Sequence, residues 1–75
     1  MDMNRINKAK AKIAAAQKRI RACAQRDQAA AYSRQSNSPI YPGQETICAQ
    51  KAVMATAYAQ RTEAEAELIE AEAGI

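Results

Sequence analysis

Five glutamates crowd the C-terminal part of the chain, at positions 63, 65, 67, 70 and 72. Carboxylates so spaced are the raw material of di-metal sites, which in helical bundles combine inward-facing Glu with Glu-x-x-His pairs. This chain has no histidine, and its glutamates fall largely off the apolar seam described below. A solvated acidic face that pairs with lysines is the better reading. Two cysteines, Cys23 and Cys48, are too few and too far apart for a zinc-finger pattern. Without histidine the usual general base is missing. No nucleophile has an identifiable activating partner, and no glycine-rich loop could cradle a phosphate. These residues predict a non-enzymatic protein with no metal, cofactor or small-molecule ligand.

Basic residues offer a second chemistry. Lys18, Arg19, Arg21 and Arg26 form a cluster, and Arg34 and Lys51 extend it. Such a zone could contact phosphate backbones or an acidic protein. No helix-turn-helix or zinc-finger spacing accompanies it, and the glutamates would repel nucleic acid, so binding of that kind is expected to be weak, sequence-independent and salt-sensitive. A third candidate is the segment Pro39-Ile40-Tyr41-Pro42, which places an aliphatic and an aromatic side chain on a loop. Exposed there, Ile40 and Tyr41 would be partner-binding residues. Folded back, they would cap the end of a thin core.

Behind these candidates lie two long helix-forming stretches of opposite charge. Residues 1–36 carry nine Lys/Arg against two Asp, and residues 45–75 carry six Glu against two Lys/Arg. Between them runs Ser36-Asn37-Ser38-Pro39-Ile40-Tyr41-Pro42-Gly43, rich in turn formers. In the first stretch Ile6, Ile13 and Ile20 recur every seven residues, with Ala9, Ala16, Cys23 and Ala30 three residues on. In the second, Ile47, Met54, Arg61, Leu68 and Ile75 keep the same period, with Ala57, Ala64 and Ala71 offset by three and Val53, Tyr58 and Ile69 alongside. These are heptads with large residues at a and small ones at d. Asp2 is placed to cap the first helix and Gly74 to end the second.

The reading is an all-α, antiparallel two-helix hairpin, coiled-coil-like, over residues 1–75. Helix 1 is expected over about 3–35, a connector over 36–43, and helix 2 over about 44–73. Lys8, Lys10 and Lys12 oppose the macrodipole at the start of helix 1, and Glu67, Glu70 and Glu72 oppose it at the end of helix 2. Antiparallel pairing would make these two sets neighbours and relieve both. In the same alignment the middle of helix 2, at Gln60 and Arg61, offers the basic cluster no acid. A Cys23–Cys48 bridge would need helix 1 to stop near Asp27, because disulfides hold Cα atoms within about 7 Å. A Cys23–Cys23 contact across a dimer fits the heptad better, with both thiols otherwise buried as small apolar groups.

Size bounds the rest. Alanine supplies much of the 48% apolar content, phenylalanine and tryptophan are absent, and there are three tyrosines. So few large side chains barely offset the entropy of ordering two helices. Association into a dimer or four-helix bundle through Ile6, Ile13, Ile20, Cys23, Ile47, Met54 and Leu68 is therefore expected. No run of 18 apolar residues is present, and the N-terminus lacks the apolar stretch of a signal peptide, which predicts a cytoplasmic protein without a membrane partner. The expected function is a protein-binding adaptor or inhibitor, of the kind phage and mobile elements also encode, using Ile40, Tyr41, Tyr58, Arg19, Arg21 and Arg26. The alternatives are weak nucleic-acid binding through Lys18, Arg19, Arg21, Arg26, Arg34 and Lys51, and a purely structural coiled-coil element.

Overall fold

The computed structural model describes residues 2–75. Two helices, α1 over Met3–Asn37 and α2 over Gln44–Glu72, pack against each other as a hairpin. Among the described residues there is no strand, and no helix is long and apolar enough to cross a membrane. The Cα trace is a thin rod of 62 × 14 × 10 Å.

Local chemistry sets each boundary. The Asp2 carboxylate accepts from the Asn4 backbone N–H at 3.0 Å, satisfying one free amide of the first turn. α1 then runs unbroken through its alanine-rich stretch. It ends where Ser38, preceding Pro39, leaves helical space at φ −135° and ψ 68°. Tyr41-Pro42-Gly43-Gln44 has the features of a type II turn: the Gln44 N–H donates to the Tyr41 carbonyl at 3.2 Å, and Gly43 sits at φ 90° and ψ −13°. The buried Gln44 side chain accepts from the Ile40 backbone N–H and ties the connector down from inside. α2 closes in a Schellman arrangement, with Gly74 at φ 74° and the Ile75 N–H reaching back to the Glu70 carbonyl at 2.9 Å.

The seam between the helices differs from the one the isoleucines mark. Ala15, Ala22 and Ala29 recur every seven residues on α1, and Cys48, Ala52, Ala55, Ala59, Thr62 and Ala66 alternate steps of four and three on α2; all are buried. Small side chains at every layer let the helix axes approach toward the short end of the usual ~8–10 Å. Ile13 and Ile20 are 61% and 71% exposed, Cys23, Ile47, Met54 and Leu68 are exposed as well, and Ile6 is half-buried. The predicted heptads exist, but in the hairpin they face outward. Ile13 and Ile20 precede Ala15 and Ala22 by two residues, about 200° round a helix with ~3.6 residues per turn. Leu68 stands the same way to Ala66, and Ala57 and Ala64 to Ala55 and Thr62.

Polar pairs across the alanine seam explain this orientation. Thr62 Oγ lies 2.9 Å from Gln25 Oε1 and 2.9 Å from the Tyr58 carbonyl, its single proton serving one at a time. Near the turn Ser36 Oγ donates to the Glu45 carbonyl at 2.8 Å, and the Cys48 thiol to Gln35 Oε1 at 3.5 Å. Turning both helices to bury isoleucine would carry these groups out of reach. Cys48 thus faces Gln35, and Cys23 lies twelve residues earlier, about 18 Å along the axis at ~1.5 Å per residue. Both thiols are free, Cys48 buried and Cys23 exposed rather than buried as expected.

Candidate protein-interaction surfaces

Charge pairing runs down the middle of the rod. Arg26 holds Glu63 through two parallel hydrogen bonds of 2.8 Å, Lys18 Nζ meets Glu65 at 2.9 Å, and Arg19 pairs with Glu70. Arg61 adds a pair within α2, to Glu65 at 3.5 Å. These contacts correct the expected charge alignment in two ways. The basic cluster does find acids opposite it. Among the described residues, none of the four ion pairs uses Lys8, Lys10 or Lys12. Length and facing both contribute: α1 has 35 residues and α2 has 29. Both helices depart from the same turn, so the start of α1, as far as Lys8, overhangs by about 9 Å at ~1.5 Å per residue, while Lys10 and Lys12 are exposed beside the outward Ile13 seam.

The guanidinium of Arg26 and the ammonium of Lys18 hydrogen-bond Glu63 and Glu65 and hold those carboxyls below the ordinary glutamate value; Arg19 does the same to Glu70. Arg19 and Arg26 are raised in turn, first by these hydrogen bonds and then by the carboxylate charge. Depressed carboxyl pKa values give stability that is complete above the unfolded value, 4.5, and is lost as pH falls through the folded values. Thermal stability should therefore hold from neutral pH down to about 5 and decline below it. Replacing Glu63, Glu65 and Glu70 together by glutamine should flatten that decline, as read by helicity against temperature at stepped pH. A decline unchanged by the triple substitution would show that the ladder contributes nothing to acid sensitivity.

The remaining candidates sit on separate parts of the rod. Ile40 is 89% exposed and Tyr41 is also exposed, so the connector does not fold back to cap the core. Tyr58 lines a shallow depression of about 220 Å³ with Tyr32, Lys51 and Met54. There the Lys51 ammonium lies 5.5 Å from the centre of the Tyr32 ring, a cation–π distance. Tyr32 did not stand out in the sequence, because it follows an alanine run with no large apolar partner at helical spacing. Arg19, Arg21 and Arg26 lie far along α1 from the connector, so the six residues expected to bind a partner form several surfaces and not one site. Of the six basic residues considered for nucleic acid, Lys18, Arg19 and Arg26 are engaged with glutamates and Lys51 with Tyr32.

Among the described residues no buried side-chain nitrogen or oxygen lacks a hydrogen-bond partner. What the rod offers to other molecules is outside it: two outward seams and an apolar tip. No protein-family model, no curated protein and no solved structure matches the chain.

Proposed function

We propose that this chain is a non-enzymatic protein-binding module, an adaptor or inhibitor, that meets its partner with its outer helix faces and its loop tip. It acts in the cytoplasm, where its two free thiols persist. One observation supports this reading above the others. The contact between the helices is built from alanine, with a cysteine and a threonine, whereas eleven large apolar side chains among the described residues are exposed. A hairpin that spends its smallest residues on its interior and leaves most of its isoleucines in water has its largest association energy still unused. The nucleic-acid alternative has less support, because phosphates would have to displace Glu63, Glu65 and Glu70 from the basic ladder.

Capture from a lysate of the source cells tests the proposal. The immobilised chain should retain a protein that the Ile13→Asp, Ile20→Asp double variant fails to retain, at unchanged far-ultraviolet helicity. Tyr41→Ala and Ile40→Asp report on the tip separately. Retention abolished by nuclease, or falling steeply with salt, would favour the nucleic-acid reading. Retention indifferent to all four substitutions would remove the outer faces and the tip from consideration.

A further inference from the structure

The two outward seams are complementary to each other. On α1 the seam alternates Ile6, Ala9, Ile13, Ala16 and Ile20; on α2 it alternates Ala57, Ala64, Leu68, Ala71 and Ile75, with the charge of Arg61 in one layer. Laid antiparallel with Ile13 opposite Ala71, the remaining layers follow from the spacing alone. Ile20 meets Ala64, Ala16 meets Leu68, and Ala9 meets Ile75. Every layer sets a large side chain against a small one, which fills space evenly without overpacking.

Charge selects the same pairing. Lys10, Lys12 and Arg19 flank the α1 seam, and Glu65, Glu67 and Glu72 flank the α2 seam. Among the described residues, Lys10, Lys12, Glu67 and Glu72 take no part in the ion pairs of the hairpin. An α1 seam against another α1 seam would bring lysines together, and an α2 seam against another α2 seam would bring glutamates together. In the mixed pairing Lys10 faces Glu72, and Lys12 faces the C-terminal end of α2, where the helix dipole is negative.

We propose that copies of this chain associate edge to edge, the outer seam of α1 in one copy packing antiparallel on the outer seam of α2 in the next. This rests on the protein-binding reading above and names a second copy as the partner. Because the two seams lie on opposite edges of a flat two-helix layer, a two-fold dimer cannot satisfy both at once. Head-to-tail contacts of this type continue until they close into a ring, or remain open as a filament. The register sets Cys23 against Arg61 of the next copy, so the Cys23–Cys23 contact expected for a symmetric dimer does not arise.

Light scattering across a concentration series, with reductant, tests the proposal through two single variants and their mixture. The wild-type mass should climb past that of a dimer. Ile20→Asp destroys only the α1 edge and Leu68→Asp only the α2 edge; both positions are exposed, at 71% and 58%, so the hairpin should stay helical. Each variant alone should be monomeric, and an equimolar mixture should form a one-to-one dimer and stop. Should either aspartate disturb folding, Lys10→Glu and Glu72→Lys serve instead: each should weaken association about two- to fivefold at low salt, and the two combined in one chain should restore it. A wild type that stays monomeric when concentrated overturns the self-assembly while leaving capture of a different protein to be tested on its own. A dimer lost in one variant and intact in the other overturns it in favour of a symmetric contact.

Discussion

Replacing Ala59 by leucine is expected to destabilise the hairpin by about 1–3 kcal/mol, the usual cost of forcing extra methylenes into a packed interface. Ala59 is fully buried at the middle of the α2 seam, with Ala15 and Ala66 equally inaccessible nearer the open end. A leucine there has nowhere to go, because α1 presents backbone and alanine methyls at the same level. The helices must separate, and separation strains the Thr62–Gln25 and Arg26–Glu63 contacts that depend on close approach. Ala57→Leu is the matched control: same helix, same chemistry, but an exposed site on the outer seam. Thermal unfolding followed by circular dichroism should show a large loss for the first and little change for the second. Equal effects would mean that the alanine seam is not the contact that holds the hairpin shut.

Gly43→Ala should lower stability by about 1–2 kcal/mol, the cost of placing a side chain in left-handed backbone space. The space around Gly43 is open: a Cβ built there has no atom within 4 Å. The penalty therefore comes from the φ of 90° alone. The position matters because one turn both starts α2 and sets its register against α1. Gly43→Asn, which tolerates φ > 0 better, should recover part of the loss. If alanine proves harmless in the same melting experiment, the connector adopts another turn in solution.

Much of the hairpin was legible in its residues. Asp2, the Pro42-Gly43 pair and Gly74 each announced a helix end through a specific backbone requirement, and the split of charge announced that the two helices run against each other. What could not be read was which side of each helix faces its neighbour. Two seven-residue stripes coexist on α1, one led by Ile6, Ile13 and Ile20 and the other by Ala15, Ala22 and Ala29. With nineteen alanines in the chain, the second stripe blends into its surroundings. Size then favours the isoleucines, although close helix approach favours alanine. Register was hidden for a related reason. The split of charge put Lys8, Lys10 and Lys12 beside the glutamates, whereas Lys10 and Lys12 flank the outward seam of α1, and Lys18, Arg19 and Arg26 make the pairs across the hairpin. Of the interaction surfaces, the tip was evident from its prolines, but the joining of Tyr32, Met54 and Tyr58 in one depression needed both helices in place.

The alanine interior also fixes the calorimetric character of the molecule. Unfolding raises heat capacity chiefly through newly wetted apolar surface, and denaturant sensitivity scales with the same exposure. Parting two alanine-faced helices wets little that was dry, since Ile13, Ile20, Ile47 and Leu68 are hydrated already. The isolated chain is thus expected to show a shallow stability curve and a broad melting transition. Under the proposed association, covering the outer faces should sharpen that transition.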